Sequence, residues 1–276
     1  MSKIDLKPWR NPFTGQGLRL PTSRDGGEFR IYETGAMTLG DDWNHRDVCS
    51  PFWRLFYDLS EGVWVQGGSK RYRTNKTRAI LLPEGVPFDC GGPAGVLHIW
   101  IHFTLSLSDQ LSLRRPLEID AGNEFQSVAE KLREVTLDGQ IESARRVGMA
   151  LLHLAFVGVP TQSLEVADPR MRRVLAWLDT SLDSPIGNQK LARIAGLGIE
   201  PFIRWFKKHM GQTPAVYVMG RRMREASRRL IYEEESIETI AERVGYHNRH
   251  HFSRVFQRYA GVGPGAFRKS YVNRYE

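Results

Sequence analysis

The hydrophobic pattern along this chain changes period, and each change marks a different kind of structure. From Glu28 to Phe103 apolar residues come in short β-prone runs broken by Gly, Pro, Asn and Asp: Phe29–Tyr32, Phe52–Leu59, Gly62–Gln66, Arg78–Leu82 and Val96–Phe103. Short strands so spaced predict a β-sandwich or barrel. The run from Leu97 to Phe103 alternates strictly, so Leu97, Ile99, Ile101 and Phe103 take one face of a strand and His98, Trp100 and His102 the other. That second face lines a pocket for a polar ligand, or it meets solvent or a helix; the strand alone does not choose. From Asn123 to Val157 the period becomes helical. Phe125, Val128, Leu132 and Val135 form one stripe, Ile141, Ala144, Val147, Leu151 and Leu154 another, and Asp138-Gly139 separates them. Such a pair closes the β-rich unit or associates with its twin in a second subunit. Gly158 to Asp168, with Pro160, Thr161 and Ser163, reads as a linker.

Beyond the linker the pattern is helical throughout, and it repeats. Ala192, Gly196, Phe202, Arg204, Phe206, Gly211 and Pro214 recur in order as Ala241, Gly245, Phe252, Arg254, Phe256, Gly261 and Pro264. The offset is 49 residues up to the first glycine and 50 afterwards, which places one inserted residue in the turn. Each copy reads as a short helix, a Gly-containing turn, a longer basic-aromatic helix and a Gly-x-x-Pro exit, the plan of a helix-turn-helix whose second helix enters the DNA major groove. An amphipathic helix over Arg170–Leu182 precedes the first copy. Asn188 is the expected N-cap of a short helix ending near Ala195, and Glu200–Met210 is the first reader. On it Phe202 and Phe206 face the core, leaving Arg204, Lys207 and Lys208 to meet DNA. In the second copy Ser236 caps Ile237–Val244, and Asn248–Tyr259 is the second reader, with Arg249, His250, Ser253, Arg254 and Gln257 directed outward. Thr213–Ile231 joins the copies as one long helix with Pro214 in its first turn. Its arginines 221, 222, 224, 228 and 229 share a sector of roughly 160°, either tracking phosphates or forming a solvated basic face.

Charge sharpens the division. The 276 residues carry a net charge of +8, yet residues 170–276 hold 20 Lys and Arg against 10 Asp and Glu, while residues 1–169 hold 19 against 21. The positive field therefore lies in the half that holds the duplication, as a polyanion partner requires. Met1 to Gln16 is polar and broken by Pro8 and Pro12, unlike an export signal, and the apolar stretch Val147–Val159 is too short to span a bilayer. The expectation is a cytoplasmic protein without membrane contact. Cys49 and Cys90 are too few for a disulfide framework or a zinc set. His98 and His102 stand about 13 Å apart along a strand, too far to share one metal ion at bonds of about 2.1 Å. Neither a metal nor another cofactor is expected. Asp41, Asp42 and His45 sit together as a polar loop rather than a catalytic set, so an enzyme of the cupin class is the less supported alternative. A non-specific DNA-binding protein is another, weakened by the difference between the two reader sequences.

The region from about Arg170 to Tyr271 resembles the AraC/XylS family of bacterial transcription regulators. The resemblance rests on Leu191-Ala192, Ala195-Gly196, Phe202-Ile203-Arg204-Trp205-Phe206-Lys207-Lys208 and Gly211-x-x-Pro214. It rests equally on Ile240-Ala241-x-x-Val244-Gly245-Tyr246, His251-Phe252-Ser253-Arg254-Val255-Phe256 and Gly261-x-x-Pro264-x-x-Phe267-Arg268. It implies base contacts at Glu200, Ile203 and Arg204 in the first reader and at His250, His251 and Arg254 in the second. Glu200 and Ile203 depart from the longer polar donors often found there; Glu200 accepts from a cytosine amino group or merely begins the helix. Pro83-Glu84-Gly85-Val86-Pro87-Phe88, followed by His98 to Phe103, is similar to the sugar-binding strands of the family's cupin-type sensors. That similarity makes Arg46, Phe88, His98 and Trp100 the ligand candidates. The resulting expectation is an α+β chain of two domains: a cupin-like β-barrel with a helical pair over 1–160, a linker over 161–169, and an all-α domain with two helix-turn-helix motifs over 170–276. It would bind promoter DNA under the control of a small-molecule effector, with a sugar favoured. A homodimer is the expected state, and an activator would also contact RNA polymerase.

Overall fold

The computed structural model describes residues 17–20, 29–41, 43–105, 115–159 and 168–272, so the polar N-terminal stretch and most of the expected linker lie outside the described residues. The described residues divide into two compact units, one built on strands with a helical pair and the other entirely helical.

In the first unit, β1 (Leu18–Arg19), β2 (Phe29–Thr38), β9 (Leu97–Leu105), β4 (Trp53–Asp58), β7 (Arg78–Leu82) and β10 (Leu117–Asp120) form an antiparallel sheet in that spatial order. A smaller antiparallel sheet runs β3 (Asn44–Val48), β8 (Phe88–Gly91), β5 (Trp64–Gly67) and β6 (Lys70–Arg73). Among the described residues the strands make these two sheets, with no hydrogen-bonded ring closing them into a barrel. Between them packs an apolar core of Val48, Phe56, Val63, Val65, Ile80, Leu82, Phe88, Cys90 and Trp100. The opposite face of the larger sheet is covered by α1 (Asn123–Leu137) and α2 (Ile141–Val157), whose boundary falls at the expected Asp138-Gly139. Tyr57 meets Phe125 of α1, Phe103 meets Phe156 of α2, and Gly148 lets α2 approach Ile31 and Ile101.

The polar-aromatic face of β9 meets neither solvent nor a helix: it points at the second sheet. There it joins charged residues from neighbouring strands. A register shift between Ile31 and Glu33 brings Glu33 opposite His102, where Glu33 Oε2 lies 3.5 Å from His102 Nδ1 and Oε1 accepts from Trp100 Nε1 at 3.2 Å. A Cβ on Gly35 would fall 1.9 Å from the Trp100 ring, so the indole needs the glycine beneath it. Asp58 Oδ1 pairs with His98 Nδ1 at 2.8 Å, while Oδ2 accepts from the Val63 amide at 2.7 Å and from the Thr74 hydroxyl. Arg54, also buried, donates to Ser50 at 2.8 Å and lies over the Phe52 ring. Buried carboxylates are costly unless paired, and here each stands against an imidazole.

Strands β3, β6, β8 and β10 escape the pattern reading. Three of them lie in the smaller sheet and show few apolar residues; β6 (Lys-Arg-Tyr-Arg) buries Tyr72 alone. With one face wet, too few hydrophobes remain to show a period.

In the helical unit, α3 (Pro169–Thr180), α4 (Asn188–Ala195) and α5 (Ile199–Met210) enclose a first core around Val174, Leu178, Leu191, Phe202 and Phe206. α6 (Pro214–Tyr232) contributes Tyr217 and Val218 to it. Further along, α6 packs against α7 (Ile237–Arg243), α8 (Arg249–Ala260) and α9 (Pro264–Val272). Here the rings of Phe252, Phe256, Phe267 and Tyr271 meet in series, tilted or edge-on. Ser236 caps α7 as expected, its hydroxyl accepting from the Thr239 amide at 3.0 Å. The expected cap at Asn188 is corrected: Gly187 takes the extended cap position and Asn188 is already helical. The Gly-x-x-Pro exit of the second copy begins a helix of its own, α9.

Burial, with the Arg54 charge behind it, pushes the His102 imidazole down to about 4, against the pull of Glu33. Burial alone would raise the Glu33 carboxyl, but His102, the Trp100 hydrogen bond and Arg54 outweigh it and hold the group low. Both shifts act in one direction. Between the unfolded imidazole value near 6.5 and about 4 the unfolded chain takes up the proton first, so stability is present at neutral pH and lost on acidification. Glu33 adds a further loss at lower pH. At pH 5 the expected cost from His102 is about 2 kcal/mol, seen as a lower thermal unfolding midpoint of the β-rich unit than at pH 7. His102→Asn should flatten that dependence.

Candidate nucleic-acid interface

Each helix-turn-helix is assembled from the same local instructions. α4 stops at Gly196, whose φ of +68° is the left-handed conformation that closes a helix without steric cost. α7 leads into Gly245 at +77°, and a Cβ there would lie 2.4 Å from the Arg222 guanidinium. The second reader starts on Asn248, whose side chain accepts from the His251 amide at 2.9 Å. The phenylalanines at the first and fifth positions of each Phe-x-x-x-Phe are fully buried, which fixes what the rest of each helix presents.

On α5, Glu200, Arg204, Lys207 and Lys208 are exposed, while Ile203 is half-buried against the first core. On α8, Arg249, His250, His251 and Arg254 are exposed and Ser253 is half-buried. The His251 ring meets Tyr246 of the turn edge-on at 5.4 Å. Along α8 runs an open groove of about 730 Å³ lined by His251, Arg254, Gln257, Arg258 and Gly261. Arg258 was absent from the sequence expectation, although it stands one helical turn beyond Arg254 and so shares its face. Trp205 is half-buried and ties α5 to the start of α3, its indole donating to Asp168 at 3.2 Å.

The arginines of α6 do something the sequence did not suggest. Arg221 pairs with Asp179 of α3, and Arg228 with Glu225 at 2.9 Å. Arg229 reaches Glu225 at 2.8 Å and Glu233 at 2.9 Å. Arg222 donates to the carbonyls of Leu182 at 3.0 Å and Ser184 at 2.6 Å, in the segment after α3, and lies 5.6 Å from the centre of the Tyr246 ring in the second turn. One guanidinium thus ties the segment leading into the first copy to the turn of the second. These four side chains are held by partners within the unit rather than standing out as a bare basic face.

The four ligand candidates fall in different surroundings. His98 and Trp100 stack at 5.8 Å between the two sheets, and Phe88 meets Phe56 edge-on in the same core. Arg46 is exposed on β3. Glu33, Arg54 and Asp58, which share the interior with His98 and Trp100, were missed; a charged residue inside an apolar run, as in Phe52-Trp53-Arg54-Leu55-Phe56, is the signal that marks one of them. Among the described residues no three His, Cys, Asp or Glu side chains gather as a metal set, and no helix is long and apolar enough to cross a membrane.

A helix-turn-helix domain model matches residues 191–270. The multiple antibiotic resistance protein MarA of Salmonella typhimurium is 30% identical over 95 residues, 34% of this chain and 75% of MarA. The transcriptional activator RhaS of an Enterobacter species is 29% identical over 140 residues, 51% of this chain. That match spans half of the RhaS length. Among solved structures, ToxT from Vibrio cholerae, crystallised with an unsaturated fatty acid, aligns over 92% of this chain and all of its own, with a TM-score of 0.54 and 12% identity. At that identity the likeness is one of fold, and it extends across both units.

Arg222→Ala should destabilise the helical unit by about 2–4 kcal/mol, since two carbonyls lose a charged donor and a ring loses its cation. Arg222→Lys should recover only part, having no fork to reach both carbonyls. Denaturant titration of the full chain by tryptophan fluorescence measures both.

Proposed function

The chain belongs to the AraC family of transcription regulators, and from that premise we propose that it is a sequence-specific DNA-binding regulator controlled by a small-molecule effector. The observation that carries this reading is the pair of exposed arginines, Arg204 and Arg254, at equivalent positions of two reader helices whose remaining polar residues differ. Arginine pairs bidentately with the two acceptors of guanine in the major groove, and Lys207, Lys208 and Arg249 flank it with phosphate-seeking charge. His250, His251 and Ser253 complete the second reader, Glu200 and Ile203 the first. Residues 170–276 form the DNA-binding domain, 161–169 the linker, and 1–160 a cupin-type effector and dimerisation domain. The protein works in the cytoplasm on promoter DNA, without a catalytic function, and as an activator it would also contact RNA polymerase.

The effector site lies with His98, Trp100 and Phe88, approached from Arg46. Glu33, Arg54, Asp58 and His102 line the same interior, and such a lining suits a polyhydroxyl ligand such as a sugar better than an aliphatic chain. Dimerisation uses the helical pair, where Leu137 is 58% and Val157 84% exposed.

In competition gel shifts, Arg254→Ala should lower the preference for the selected site over random duplex by about 5- to 150-fold, the worth of one bidentate guanine contact. Lys208→Ala should weaken both duplexes alike and reduce the salt slope by about one. Unchanged site preference in a folded Arg254→Ala variant would remove that residue from the reader. In thermal-shift assays of the full chain, a monosaccharide panel should raise the unfolding midpoint where oleate does not; the reverse result would move the effector to the lipid class.

A further inference from the structure

The two readers can be compared position by position, because the duplication sets them in register. Ile199 corresponds to Arg249, Glu200 to His250, Ile203 to Ser253, and Arg204 to Arg254. The first half of α8 thus presents donors throughout. The first half of α5 presents two isoleucines and a carboxylate before its arginine. Ile199 is 44% exposed, although a large aliphatic side chain at a helix start gains nothing from water. Ile203 stands one turn on from it and keeps part of its surface open, and Glu200 is exposed beside them. None of these is a phosphate ligand. A carboxylate facing a polyanion is repelled unless a base amino group donates to it.

We propose that the first reader recognises pyrimidine edges: thymine C5-methyl groups against Ile203 and Ile199, and a cytosine N4 amino group donating to Glu200, next to one guanine read by Arg204. The chemistry follows from what each base shows in the major groove. Only thymine offers a methyl group there. Cytosine offers an amino donor with no acceptor on its own major-groove edge, whereas adenine sets its amino group beside its own N7, which would repel the carboxylate. The second reader, rich in donors, takes purine acceptors instead. The two half-sites are then chemically unlike, so the chain distinguishes the orientation of its target as well as the sequence. This inference rests on the DNA-reading function proposed above and assigns the base class at one of its two helices.

The test begins with selection of duplexes from a random pool by the full chain and by Glu200→His/Ile203→Ser, which makes α5 resemble α8. Positions whose preference changes belong to the first half-site. At those positions thymine is replaced by deoxyuridine, one at a time, and cytosine by N4-methylcytosine. Loss of a contacted methyl should weaken binding of the native chain roughly fourfold, and blocking the amino proton roughly tenfold. Both effects should vanish in Ile203→Ala and Glu200→Ala respectively, while the substitutions in the other half-site change nothing. The base-analogue arms on the native chain need no variant to fold. A selected site whose first half is indifferent to both analogues, or is read only through purines, overturns this inference and leaves the regulator reading intact. A pool that never enriches overturns both.

Discussion

Two short helices can act as one reader only if the distance and angle between them are held, and that depends on the guanidinium of Arg222. Its donors close on Leu182 and Ser184, in the segment that leads into the first copy, and its ring contact is with Tyr246 of the second. Gly245 is required beside it, since any Cβ would collide with the guanidinium. Arg221 adds a pairing to Asp179, and α6 supplies side chains to the core of the first copy. The helix between the copies is therefore a braced spacer. A flexible connection would let each copy bind alone, and the coupling that makes a bipartite site more specific than its halves would be lost.

The interior of the β-rich unit poses the opposite problem. Glu33, Asp58, Arg54, His98 and His102 are nearly inaccessible, and groups so polar cost free energy to bury. The strand register resolves this by setting acid opposite base: Glu33 across from His102, Asp58 across from His98. Such an arrangement is less stable than an apolar core of the same volume would be, and more selective in what it tolerates. The acid sensitivity of His102 follows from the same geometry.

Legibility in the sequence tracked how much of each element's periphery is buried. The reader helices, the helical pair and strand β9 were readable because one face of each is apolar over several turns or pleats. β3, β6 and β8 were not, since a strand of four or five residues with a wet face leaves one or two hydrophobes to detect. The site followed the same rule. Arg204, Arg254, Lys207, Lys208, His250 and His251 were identified because burial of Phe202, Phe206, Phe252 and Phe256 dictates where their helix neighbours point. Arg258 was overlooked, although one more turn of the same reasoning reaches it.

What the sequence determined by itself was local and periodic: two copies of one unit, their glycine stops, their outward donors, and the split between a neutral half and a basic one. Those properties depend on neighbours within a few residues, where helix and strand geometry are known in advance. What only the tertiary structure decided was partnership at long range. Whether an arginine of α6 faces solvent, a phosphate or a carbonyl depends on Leu182, some 40 residues away, and whether His98 and His102 line a surface or an interior depends on Asp58 and Glu33 in other strands. A side chain's direction follows from its own helix or strand; the group waiting there is placed by the fold.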